Sequence, residues 1–261
     1  MARAKSFRAE GIILSRSDIG EADRLLTMFT RDFGKLKAVA KGVRKPQSKQ
    51  TGHVELFMRT KFLIARGKTF GIATQSEMIE AFTPLREDLI KTTYAAYAVE
   101  LLDKFTGEED KNITLFELIH DTLSRFAYED NPMLVARYYE LRLLSLTGFQ
   151  PQLFRCVDSQ EALDEEDQYF SADLGGILKP SHLRADRRAK PISAGALKVL
   201  RYLQSRPWDT VKNLQLRRLL HSELEEIMHY YIAFHLERKL RSIDFLKRLR
   251  IEATLYKDDQ D

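Results

Sequence analysis

The hydrophobic pattern of this 261-residue chain changes its period at Thr83-Pro84. Before that point apolar and polar residues alternate, the two-residue repeat of a strand. After it apolar residues recur at three and four, the repeat of a helix. Upstream, alternation and breaks divide the sequence into five strands: Phe7–Ile19, Ala22–Arg31, Lys35–Val43, Val54–Ala65 and Gly71–Ala81. Gly20, Gly34 and Gly67 fall in the separators. Five short strands in about 80 residues, with no helical stretch between them, predict a small closed barrel. An OB-fold has this size, and SH3-like barrels give a similar pattern.

Downstream, Thr83 offers a capping hydroxyl before a proline at the first helical position. Ile90, Tyr94, Tyr97 and Leu101 then lie on one helical face. A second helix is predicted over 113–128. A third begins at the cap Asn131 with Pro132 and stops at Gly148. Residues 151–192 break this pattern. Asp158, Glu161, Asp164, Glu165, Glu166, Asp167 and Asp173 occur there with no basic residue between Arg155 and Lys179. Helix resumes after Ser193 and again from about Thr210 to Leu249, the latter as two helices. Its late part, from Glu237 to Arg250, is basic and precedes a short acidic tail. The expected class is α+β, a five-stranded barrel followed by a mainly helical region. The domains are expected over 1–82 for the barrel, 83–150 with 193–250 for the helices, 151–192 for an irregular insertion and 251–261 for the tail.

The net charge of +4 is unevenly placed: residues 1–81 hold 16 of the 42 basic and 8 of the 38 acidic residues, a balance of +8. The positive field therefore belongs to the barrel. Its densest part is Gly34 to Gln50, GKLKAVAKGVRKPQSKQ, which contains no acidic residue. Leu36, Ala38 and Ala40 alternate with Lys35, Lys37, Val39 and Lys41, so most of the lysines are expected on one solvent face. Past Gly42 the chain reads as a basic loop with Arg44, Lys45 and Lys49. One row of positive charge leading into a positive loop suits a phosphate backbone. A solvated lysine face that only keeps a protein in solution has the same composition. Phe29, Phe33, Phe57, Phe62 and Phe70 are near in sequence and could include a platform for bases, although a barrel this small also needs aromatic residues inside it.

Catalytic chemistry finds little support. The one cysteine, Cys156, has no histidine near it in sequence, and there is no G-x-S-x-G elbow. The six histidines lack metal-binding spacing, and the glycines are placed as turns and form no phosphate loop. The Asp164–Asp167 run reads as solvated charge. No enzyme activity, metal or cofactor is expected. The N-terminus has no apolar signal region and no apolar run reaches membrane-spanning length, which predicts a cytoplasmic protein without membrane contact.

The run GIILSRSDIGEADRLLTMFTRDFGKLKAVAKGVRKPQS resembles the N-terminal signature of the bacterial DNA repair protein RecO family. The resemblance is carried by Gly11, Leu14, Gly20, Glu21, Asp23, Arg24, Leu25, Phe29, Thr30, Gly34, Lys35, Ala38, Lys41, Gly42, Arg44 and Lys45. ARYYELRLLSLTGFQP resembles that family's helical motif through Arg137, Glu140, Leu143, Leu144, Gly148 and Pro151. Cys156, Phe170-Ser171 and Gly175-Gly176 resemble the frame of its zinc module, and residues 238–242 its final helix. Where many members carry two C-x-x-C pairs, this chain has Ser159, Lys179 and His182 beside its single thiol. That set cannot complete a tetrahedral site, so no zinc is expected, and Phe154, Tyr169, Phe170 and Leu174 are expected to hold the insertion by packing.

The resemblance implies an N-terminal OB-fold, a helical region with a degenerate zinc-module-like insertion, and a nucleoid-associated recombination mediator. Such a protein binds single- and double-stranded DNA, anneals complementary strands and helps load the recombinase. Its implied partners are RecR and the acidic C-terminal tail of the single-stranded DNA-binding protein. The expected DNA surface is Arg24, Lys35, Lys37, Lys41, Arg44, Lys45 and Lys49, with a second patch at Arg184, Arg187 and Arg188. Arg137 is the expected edge of a pocket for the tail. The rival readings are an RNA-binding OB module and a scaffold that binds an acidic protein.

Overall fold

The computed structural model describes residues 6–236 and Ser242. Five strands, β1 (Ser6–Ile19), β2 (Asp23–Thr30), β3 (Gly34–Ala40), β4 (Arg59–Ala65) and β5 (Gly71–Glu80), close into a barrel in the order β1-β2-β3-β5-β4. The neighbours are antiparallel except β3 and β5, which run parallel with Ala38 opposite Gly71. This order with that single parallel closure is the OB-fold. The alternation of β3 sends Ala38 and Ala40 inward at 0% exposure, to meet Ile13, Leu26, Met28, Phe62, Ile64 and Ala73.

β4 begins five residues later than its apolar pattern predicts. Val54 and Met58 are buried, but the segment between them turns rather than extends. Phe57 there takes φ 69°, and its N–H donates to Ile13 O at 3.0 Å while Ile13 N–H donates to Met58 O at 3.1 Å. The ladder between β1 and β2 shifts register at the same point, between Ile13 and Ser15. A bulge of this kind bends the strand and frees backbone groups for a loop.

The helices α1 (Pro84–Glu87), α2 (Leu89–Phe105) and α3 (Ile113–Tyr128) follow. The Thr83 side chain makes no cap; Asp88 breaks the helix and caps α2 by accepting from Ile90 N (2.8 Å) and Lys91 N (3.0 Å). Tyr94, Tyr97 and Leu101 are buried as the period predicts, but Ile90, in the first turn, is 49% exposed. Tyr94 stacks on Phe126 of α3 at 5.5 Å. These helices share one compact unit with the barrel, within Met1–Asp130. Ser242 also belongs to that unit, giving its N–H and hydroxyl to Glu100 Oε2 at 3.0 and 2.5 Å.

The second unit lies within Asn131–Leu240. It contains α4 (Pro132–Leu146), β6 (Gln168–Ser171), β7 (Gly176–Leu178), β8 (Lys190–Ile192), α5 (Ala194–Ser205), α6 (Trp208–Val211) and α7 (Arg218–Leu236). Asn131 and Ser193 cap α4 and α5 by accepting from Leu134 N and Ala196 N at 3.1 Å each. Gly148, at φ 86°, ends the α4 segment. The helical region around Thr210 is divided, α6 stopping at Val211 and α7 starting at Arg218. The basic stretch after Glu237 and the acidic tail lie outside the described residues, apart from Ser242.

The 151–192 segment is more regular than its sequence suggests, because β6 pairs with β7 and β8 as a small antiparallel sheet. Its buried apolar side chains include Leu153, Cys156, Phe170, Ala172, Ile177, Leu178 and Ile192. Of the four expected packing residues only Phe170 is buried; it meets the Tyr231 ring edge-on at 5.2 Å, while Phe154 is 49% and Leu174 41% exposed. Three short strands bring Ile177 and Ile192 inward from positions too short to show a period.

Candidate nucleic-acid interface

The loop from Lys41 to Met58 is pinned at several points. Gly42 N–H donates to Asp23 Oδ1 (2.7 Å) and Arg44 N–H to Ala22 O (2.9 Å), tying the loop to the turn between β1 and β2. Thr51 Oγ1 donates to Val43 O (2.6 Å) and Gln50 Nε2 to Thr74 O (3.0 Å). His53 Nδ1 accepts from Met78 N at 3.2 Å, and His53 O from Thr60 Oγ1 at 2.9 Å. Val43 and Val54 are both fully buried in the barrel core. Between these anchors the loop presents Lys41, Arg44, Lys45 and Lys49 to solvent. Lys41, Lys45 and Lys49 have no carboxylate partner among the described residues.

The remaining expected cations are engaged to different degrees. Arg44 Nε lies 3.4 Å from Asp18 Oδ2, and its Nη1 donates to Gly20 O. Arg24 bridges Asp18 and Glu55 at 3.1 Å each, with its side chain only 18% exposed. Arg16 pairs with the same Glu55. Lys37 pairs with Glu108, whose carboxyl is held below its ordinary value by the hydrogen bond from Lys37 and then by the charge of that lysine.

Lys35 departs most from its expected place. It does not stand on a solvent face: it is 8% exposed, and its Nζ donates to Asp103 O (2.6 Å) and Thr106 O (2.7 Å), 3.1 Å from Asp103 Oδ1. Alternation correctly turns it away from the barrel core. What it cannot reveal is that the segment after α2 runs beside the start of β3, where Glu109 N–H donates to Lys35 O at 3.0 Å. A cation at the end of α2 also satisfies terminal carbonyls and opposes the helix dipole.

Of the aromatic candidates, Phe29, Phe57 and Phe62 are core residues at 0–3% exposure, whereas Phe33 is 37% exposed and Phe70 is half-buried.

In the second unit Arg184, Arg187 and Arg188 are exposed around a built turn. Asp186, 6% exposed, accepts from Ser171 Oγ (2.7 Å) and Arg188 N (2.9 Å) at its centre. Arg137 cannot edge a surface pocket: it is 3% exposed and bonded to the fully buried Glu140 at 2.5 Å within α4. The helical period gave no sign of this, because polar residues occupy a face that is covered on all sides.

The zinc-module frame does not fit the metal. Cys156 is buried, with a tight turn closed by Gln160 N–H donating to Cys156 O at 2.9 Å. Burial raises the Cys156 thiol, but N–H groups of Ser159, Lys179 and Asp158 aimed at the sulfur bring it below the ordinary thiol value. Lys179, a cation, pairs with Glu161 (3.1 Å) and Asp164 (3.4 Å), and His182 Nδ1 with Asp158 (2.7 Å). One sulfur and one imidazole already paired to a carboxylate do not make a tetrahedral donor set. Among the described residues no group of three or more His, Cys, Asp or Glu side chains could hold a metal ion. No helix among them is long and apolar enough to cross a membrane.

Two family models match the chain, "Recombination protein O N terminal" over residues 1–82 and "Recombination protein O C terminal" over 86–244. A "DNA repair protein RecO" from a Roseiflexus species is 40% identical over 248 residues, 95% of this chain and 87% of that protein. Proteins of the same name from Dehalococcoides mccartyi and Pelotomaculum thermopropionicum are 34% and 36% identical, the alignments covering 96% and 94% of this chain and 99% and 94% of theirs. With an OB-fold barrel leading into helices, and similarity over nearly its whole length to proteins of DNA repair, the chain belongs to the RecO family.

Proposed function

We propose that this protein is a recombination mediator that binds single- and double-stranded DNA, anneals complementary strands and helps load the recombinase on coated single strands. It acts in the cytoplasm at the nucleoid, by binding and not by catalysis. The observation that carries this reading is the pinned loop presenting Lys41, Lys45 and Lys49 without carboxylate partners, with Arg44 beside them. Annealing requires two phosphate backbones to be neutralised while the bases stay available, and a rigid one-signed surface does this without reading sequence. Lys37 and Arg24, paired with Glu108 and with Asp18 and Glu55, join that surface where a phosphate takes the place of their carboxylates. Lys35 supports it by fixing β3. Arg184, Arg187 and Arg188 form a second DNA contact on the other unit.

RecR and the tail of the single-stranded DNA-binding protein are the partners of this role. An acidic tail with an apolar end needs an apolar pocket edged by cations. With Arg137 buried, the candidate is the pocket of about 420 Å³ lined by Leu216, Leu219 and Leu220 with Gln215, one cation, Arg217, and one carboxylate, Glu223; Leu219 is 85% exposed there.

The test is strand annealing of oligonucleotides coated with single-stranded DNA-binding protein, run with wild type and with the K41A/K45A/K49A variant. Loss of annealing, together with a salt dependence of single-strand binding flattened by about two units of slope, supports the reading. An unchanged slope removes the loop from the DNA surface.

A further inference from the structure

At the start of β3, the opposite end of that strand from the basic loop, Phe33 occupies a turn built to hold it. Thr30 Oγ1, fully buried, accepts from Phe33 N (3.2 Å) and donates to Gly34 O (2.7 Å), closing the turn on both sides. The Phe7 ring backs Phe33 at 4.9 Å and 59°, and the Arg66 guanidinium lies over Phe7 at 5.5 Å. More than a third of Phe33 remains in solvent, although Phe29 four residues earlier is fully buried. A large apolar ring fixed at the surface by its backbone and by a second ring has lost its conformational freedom before any ligand arrives.

The charges around it favour one kind of ligand. Arg8 follows Phe7 on β1, and Ser6 pairs with Ala65, so Arg66 and Lys68 in the turn after β4 flank the same strand end. Arg8, Arg66 and Lys68 are exposed and have no carboxylate partner among the described residues. Of the carboxylates nearby, Asp32 is paired with Lys111 at 3.4 Å and Glu10 with Arg59 at 2.6 Å, while Glu77 lines the same groove as Arg8 and Asp110 lies beside Gly34. An aromatic face beside free cations matches a base joined to its phosphate.

We propose that Phe33, backed by Phe7 and flanked by Arg8, Arg66 and Lys68, is a stacking site for an unpaired base of single-stranded DNA. The proposal rests on the DNA-binding reading above and adds to it a contact that distinguishes single strands from duplex. Stacking needs a free π-face, which duplex bases do not offer, whereas the basic loop meets phosphates of either form.

Fluorescence anisotropy of wild type, F33L and F33Y with a labelled oligothymidylate, an abasic strand of equal length and a duplex provides the test. Leucine keeps the contact with Phe7 but has no π-face, and tyrosine keeps both. The proposal expects F33L to weaken oligothymidylate binding about tenfold, with the abasic strand and duplex unchanged and F33Y near wild type. F33L binding oligothymidylate as wild type does would overturn it, and so would equal weakening of the abasic strand. Either result leaves the basic-loop reading standing. Wild type binding none of the three probes at low salt would overturn both. Urea midpoints of the variants confirm that each is folded when measured.

Discussion

Lys35 Nζ lies 3.1 Å from Asp103 Oδ1 and donates to the carbonyls of Asp103 and Thr106, so one lysine of β3 closes the end of α2. Its ammonium is nearly out of solvent and has the partners that a buried charge requires. K35A would leave the two carbonyls and the carboxylate without their donor. Urea unfolding is expected to show a loss of about 2–4 kcal/mol. The salt slope of oligonucleotide binding, measured where the variant is folded, is expected to stay at its wild-type value. That behaviour is the reverse of the K41A/K45A/K49A variant, which should keep its stability and lose slope.

Gly34 makes the same junction possible from the backbone. It sits at φ 66°, and a Cβ there would lie 2.1 Å from Asp110 O. The left-handed conformation costs a side chain about 1–2 kcal/mol, and a backbone atom cannot swing aside as a flexible side chain can. Gly20 has a similar φ of 55°, but nothing lies within 4 Å of its Cβ position. G34A is therefore expected to lower stability by at least about 3 kcal/mol, and G20A by about 1 kcal/mol, in parallel urea melts. Equal costs would mean that the segment at Asp110 yields to the added methyl.

What the sequence made legible was what neighbouring residues decide. The alternation of Leu36, Ala38 and Ala40, the caps at Asn131 and Ser193, and the stop at Gly148 each depend on residues a few positions away, and each is where its pattern places it. The burial of Lys35 depends on Asp103 and Thr106, and the neutralisation of Arg24 on Glu55. No local period carries those distances. The loop after Gly42 looked unstructured because its order comes from Asp23, Thr74 and Met78 on other strands. For the candidate site, composition pointed to the basic part of the barrel, while tertiary contacts decide which cations in it are free.

The barrel and α3 are joined by a titratable network. His120 Nδ1 lies 3.1 Å from Asp121 Oδ1, its Nε2 lies 2.9 Å from Glu80 Oε2, and Arg59 approaches the same nitrogen at 3.3 Å. The hydrogen bond to Asp121 is the main cause raising the His120 pKa; burial opposes it, Glu80 adds to it and Arg59 detracts. Asp121 is lowered, first by its bond to His120. A raised histidine stabilises the fold most below its unfolded pKa of about 6.5, and that stabilisation disappears as pH rises through the folded value. A lowered aspartate contributes above its unfolded value of about 3.9 and loses its contribution as pH falls. The network is therefore strongest between about pH 4 and 6.5. H120Q should cost more stability at pH 6 than at pH 8.5 in urea melts. A cost independent of pH would show that His120 acts there only by packing.

Arg137 and Glu140 pose the corresponding question in the second unit, where the pair is buried within α4 at 3% and 0% exposure. Burial of Glu140 beside Tyr139 is also felt by that phenol, whose pKa is raised first by its own burial and then by the Glu140 charge. Removing the guanidinium alone takes from the fully buried Glu140 carboxylate its bond to Arg137, and breaking a buried pair in this way costs about 3–5 kcal/mol. Replacing both groups with apolar side chains of similar length removes the desolvation penalty along with the attraction. R137M should therefore be strongly destabilised in urea unfolding, and R137M/E140L should recover most of the loss. If Arg137 instead served a surface contact, R137M would keep its unfolding midpoint and lose only peptide binding. The 2.5 Å bond to a fully buried carboxylate favours the first outcome.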